Sequence, residues 1–128
     1  MTRINLVEPS TLSDKHLLAE YRELPRIFTL AFAAWGRGER LEDARNPTEY
    51  CLGSGHVRFF YTKLSFLRAR FLSLVSEMWL RGWDPAHLDV PACYHKMPDG
   101  WCQDYIPTPE AIALNLARLR ERNPEHYQ

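Results

Sequence analysis

The chain has 128 residues, a formal net charge of zero, 45% apolar and 25% charged residues. That balance specifies one domain, residues 1–128, with a core of its own, and excludes a disordered or low-complexity chain. The longest apolar run, Ile27 to Trp35, is broken by Thr29 and far too short to cross a bilayer, and Cys51, Cys93 and Cys102, with no secretory leader, are expected as reduced thiols of a cytoplasmic protein away from membranes.

The N-terminus reads MTRINLVEPS. A small second residue favours removal of Met1, which would leave Thr2 with a free α-amine. An α-amine has a reference pKa of about 7.7–8.0, so on the order of a tenth of it is unprotonated near neutral pH, far more than for a lysine. That amine is a candidate nucleophile, and the alternative is an ordinary frayed terminus.

A first helix is predicted from about Ser13, as N-cap, to about Trp35, ended by Gly36 and Gly38. Leu17, Tyr21, Leu24, Phe28 and Ala31 recur at three- and four-residue steps and form its inward stripe. Pro25 lies inside the pattern, where the missing N–H and the ring predict a kink. On the opposite side, within an arc of roughly 120° at 100° per residue, fall His16, Ala19, Arg22, Glu23 and Arg26. A carboxylate is thus flanked by two guanidinium groups and a histidine, which suits either a reactive site or a solvated ion-pair network of the kind surface helices carry.

Residues 37–55 turn to charge, Pro and Gly and read as a loop. A second helix follows from about Thr62 to Arg81, with Leu64, Leu67, Phe71, Leu74, Val75 and Met78 inward and Gly82 as the stop. Residues 83–107 hold four prolines and no period, a long irregular segment of the kind that is often functional. The third helix is signposted by Thr108 as cap, Pro109 at the first position, Ile112, Leu116 and Leu119 inward and Pro124 beyond the end. The fold class is all-α, with three main helices joined by long irregular loops.

Charge segregates along the chain although it sums to zero. Arg58, Lys63, Arg68, Arg70 and Arg81 stand against Glu77 alone, and the next stretch reverses the sign with Asp84, Asp89, Asp99, Asp104 and Glu110 against Lys96. One basic face for a phosphate backbone is one reading, and two solvated surfaces that happen to segregate is the other. His87, Cys93, His95 and Cys102 have poor spacing for zinc, and GSGH lacks the lysine of a phosphate-binding P-loop, so it reads as a turn.

The stretches MTRINL, HLLAEYRELPR, GSGHVRFFYTKLSFLRAR and DYIPTPEAIALNLARL together resemble the pyrimidine dimer DNA glycosylases of the phage endonuclease V type, over residues 1 to about 122. The resemblance implies a metal-independent, cofactor-free DNA repair enzyme, both glycosylase and abasic-site lyase, acting as a monomer on double-stranded DNA that contains lesions. In that family the N-terminal amine attacks C1′ of the damaged nucleotide, displaces the base, forms a Schiff base and cuts the strand by β-elimination. The duplex is kinked and a nucleotide flipped out, a cost of a few kcal/mol that is smallest where damage has weakened stacking. Carried over residue by residue, Thr2 is the nucleophile and Glu23 the catalytic carboxylate, Arg22 and Arg26 bind phosphate, and Arg3 and His16 line the same site. Lys15 and the basic group Arg58, Lys63, Arg68 and Arg70 are expected near phosphates. Two alternatives remain open: the same mechanism with ring-opened or oxidised bases as the main substrate, and a module that binds distorted duplex without cutting it.

Overall fold

Ser13 and Thr108 behave as the caps the sequence predicts. In the structure, a computed structural model describing residues 4–128, Ser13 Oγ accepts the His16 N–H at 3.2 Å and Thr108 Oγ1 accepts the Ala111 N–H at 3.1 Å. Each satisfies one of the donors that the first turn of a helix leaves open. The helices they begin are α1 (Asp14–Gly36) and α4 (Pro109–Arg122). Between them lie α2 (His56–Phe59), a single turn, and α3 (Leu64–Leu80). Among the described residues there is no β-strand, only an isolated bridge between Lys63 and Cys102, and the fold is all-α.

Helix α1 runs on through Pro25 rather than ending there. Its buried residues, Leu17, Leu24, Ile27, Phe28, Ala31 and Ala34, follow the expected stripe and meet α3 through Leu64, Leu67, Phe71, Leu74, Val75 and Met78. Gly82 ends α3 with φ +83°, in the left-handed region where a Cβ is unfavourable, and the Trp83 N–H returns to Met78 O at 2.9 Å. The 83–107 segment is irregular but anchored, with Val90, Met97 and Trp101 buried in the same core.

The inward face of α4 differs from the sequence expectation. Ala111, Asn115 and Leu119, at four-residue spacing, are buried, whereas Ile112 is 37% exposed. A polar residue thus occupies the centre of the buried stripe, and what it meets explains why.

Asn115, Asn5, Glu20 and Arg70 form one buried polar network. Arg70 donates to both oxygens of Glu20, Nε to Oε2 at 2.8 Å and an Nη to Oε1 at 3.0 Å. Asn5 Nδ2 donates to Glu20 Oε1 at 2.9 Å, and Asn115 Nδ2 donates to Asn5 Oδ1 at 2.8 Å. Asn115 Oδ1 accepts the Leu6 N–H at 2.7 Å, and the other Arg70 Nη donates to Val7 O. Segment 5–7 is therefore held by side chains from α1, α3 and α4, in place of a strand ladder.

Arg70 was expected to reach DNA phosphate. Its side chain is only 8% exposed and its guanidinium is committed to Glu20 and Val7, so it belongs to the interior. Arg70→Met leaves the Glu20 carboxylate buried without its counter-charge, and unfolding stability should fall by about 3–5 kcal/mol in urea titration. A loss below about 1 kcal/mol would show the pair to be no more than a surface bridge.

Candidate active site

The polar face of α1 carries the candidate residues as its helical spacing requires. Glu23 Oε2 accepts from an Arg26 Nη at 2.8 Å; the Glu23 side chain is 29% exposed and that of Arg26 67%. Arg22 and Lys15 are exposed on the same helix and form no ion pair among the described residues. A half-sheltered carboxylate beside exposed guanidinium groups can accept a proton, or stabilise a cation, next to a phosphodiester.

His16 sits in the first turn of α1 and is fixed from the far end of the chain. Its Nδ1 pairs with the Tyr127 hydroxyl at 2.7 Å and the two rings stack at 5.4 Å, while the same hydroxyl accepts the Ser13 N–H at 2.9 Å. Tyr127 is buried and closes the N-terminal end of α1. Nothing in the sequence signalled it, since its partners are more than a hundred positions away.

Thr2 and Arg3 lie outside the described residues. The chain enters the described structure at Ile4, which is fully buried and bonded on both sides of its backbone. Ile4 N–H donates to His56 Nε2 at 2.7 Å, and the Tyr50 hydroxyl donates to Ile4 O at 3.0 Å. One residue on, Asn5 is tied to Glu20, three positions before Glu23 on α1. Asn5 is thereby held against the helix that presents Glu23.

Two of the basic residues around α2 and α3, Arg58 and Arg68, are matched by loop carboxylates. An Arg58 Nη donates to Glu39 Oε1 and to Asn46 Oδ1, both at 3.0 Å, and Arg58 holds the Glu39 carboxyl below its ordinary pKa with help from Arg37. Arg68 makes a two-pronged contact with Asp89 at 3.1 and 2.9 Å, and Asp89 titrates low in consequence. Lys63 Nζ donates to Phe59 O at 3.0 Å and lies 3.9 Å from the centre of the Phe59 ring, and burial lowers its pKa. The segregation of charge along the sequence is thus partly undone in space, where a basic helix meets the acidic loop that follows it. Burial raises the Cys93 and Cys102 thiols, and among the described residues no three His, Cys, Asp or Glu side chains converge to hold a metal ion.

The domain is α-helical and presents a carboxylate beside exposed arginines on the helix to which Asn5 is tied. The sequence matches the family model described as pyrimidine dimer DNA glycosylase over residues 1–90, and the chain belongs to that family. It is accordingly a DNA repair glycosylase directed at pyrimidine dimers, with DNA as its substrate. Glu20, Glu23, Tyr50, His56 and Arg70 fall within the matched region, whereas Asn115 and Tyr127 lie beyond it.

Proposed function

We propose that the protein is a bifunctional glycosylase and abasic-site lyase whose nucleophile is the α-amine of Thr2, exposed when Met1 is removed. The neutral amine attacks C1′ of the damaged nucleotide, the glycosidic C1′–N bond breaks, and the base leaves with its electron pair and takes up a proton. Opening of the C1′–O4′ bond gives a protonated imine. Loss of a C2′ proton then expels the 3′ phosphate by β-elimination, with the iminium as electron sink.

Glu23 stabilises the cationic sugar and relays protons during imine formation and elimination, Arg22 and Arg26 hold the flanking phosphates, and Arg3 and His16 line the same pocket. Lys15, Arg58, Lys63 and Arg68 border the duplex, the paired ones by exchanging loop carboxylates for phosphate. Lesion selectivity follows from the smaller cost of kinking and flipping a nucleotide where stacking is already weakened. The observation that carries this reading is the Asn5–Glu20 hydrogen bond: it ties the chain three residues after Thr2 to the turn of α1 that precedes Glu23.

Borohydride reduction in the presence of abasic or dimer-containing duplex should yield a stable protein–DNA adduct, mapped by peptide mass spectrometry to residue 2. An adduct mapped instead to Lys15 or Lys63 would remove Thr2 from the mechanism. Glu23→Gln keeps the side chain's shape and should bind damaged duplex at least as well, while strand-cleavage turnover falls by roughly 10²- to 10⁴-fold. Near-normal cleavage by that variant would remove the carboxylate from the mechanism.

A further inference from the structure

The reach of a nucleophile at the end of a chain is set by the anchor of the backbone behind it. We infer that His56 and Tyr50 are positioning residues that hold both backbone groups of Ile4 and so aim the N-terminal amine at the sugar. The inference rests on the Thr2 mechanism proposed above and names what makes that amine competent.

The tautomer of His56 follows from its partners. A peptide N–H only donates, so Nε2, 2.7 Å from Ile4 N, is the acceptor; a peptide carbonyl only accepts, so Nδ1, 2.7 Å from Cys51 O, carries the proton. The ring is 2% exposed and wedged edge-on between Tyr50 at 5.3 Å and Phe60 at 5.5 Å, which prevents it from turning. Its place is fixed from behind by Gly55, at φ +89°, where an added Cβ would lie 2.8 Å from Pro47 Cγ. The hydroxyl of Tyr50, the same ring that packs on His56, completes the grip by donating to Ile4 O at 3.0 Å.

Two further residues of chain reach position 2, a span of at most ~7 Å. A shift of Ile4 therefore moves the region the amine can reach, and misplacement of a reacting atom by about 1 Å can cost on the order of 10²-fold in rate. Segment 5–7 is held separately by Glu20, Arg70 and Asn115, so the grip on Ile4 can be loosened while the rest of the segment stays docked.

The test uses the full chain and single-turnover borohydride trapping on abasic-site duplex, with duplex affinity and thermal unfolding measured on the same preparations. His56→Phe keeps a ring but accepts no hydrogen bond, and trapping should slow by about 10- to 100-fold with affinity changed less than about threefold. His56→Gln offers an amide oxygen to Ile4 N–H and an amide N–H to Cys51 O, and should restore most of the rate. Tyr50→Phe removes only the hydroxyl and should slow trapping in the same direction, which keeps the inference testable if His56→Phe does not fold. Wild-type trapping rates in folded His56→Phe or in Tyr50→Phe would overturn it, as would losses in all three variants that merely track the unfolded fraction. Failure of the wild-type protein to trap would instead strike at the Thr2 mechanism itself.

Discussion

The structure turns on a buried ion pair. Glu20 and Arg70 lie 50 residues apart in sequence and meet inside the core with two parallel hydrogen bonds. Neither charge can be stranded there without a penalty of several kcal/mol, so each must find its partner for the helices to close. The remaining capacity of the pair is taken up by Asn5 and Val7 from the N-terminal segment, and Asn115 of α4 completes the set. A fully satisfied network of this kind specifies one arrangement, because every alternative docking of segment 4–7 leaves buried donors or acceptors unpaired. The outcome is a segment 5–7 docked against the helix that carries Glu23.

Charge plays two roles in the molecule that composition does not separate. Inside, Arg70 neutralises Glu20; at the periphery, Arg58 and Arg68 are matched by Glu39 and Asp89 on the long loops, and Arg81 by Glu77 and Asp14. Arg22 and Lys15, exposed on α1 and outside any ion pair among the described residues, with the mostly exposed Arg26, give that helix a positive face in a protein of zero net charge. In a family whose substrate is DNA, exposed basic side chains beside the carboxylate suit a phosphate backbone.

Local chemistry was legible in the sequence. Ser13, Thr108 and Gly82 mark helix ends because capping and left-handed termination depend on a few neighbouring residues, and the 100° spacing alone placed Arg22, Glu23 and Arg26 on one face of α1. Long-range polar pairing was not. Arg70 read as a phosphate ligand because it stands among other basic residues, and only its contact with Glu20 shows that it faces inward. Hydrophobicity argues for Ile112 as core and against Asn115, and nothing within a few residues reveals that Asn115 has Asn5 and Leu6 to bond. His56, Tyr50 and Tyr127 escaped for the same reason: each acts on backbone or side chains dozens of positions away.

Buried side chains, with no backbone ladder, fix segment 4–7 in the core. Hydrogen exchange read by NMR at the Ile4 and Leu6 amides tests it most directly, because their acceptors are His56 Nε2 and Asn115 Oδ1. The account predicts that both amides exchange only with global unfolding, as slowly as the amides of α1 and α3. Exchange at the rate of a frayed terminus, with those helices still protected, would contradict it.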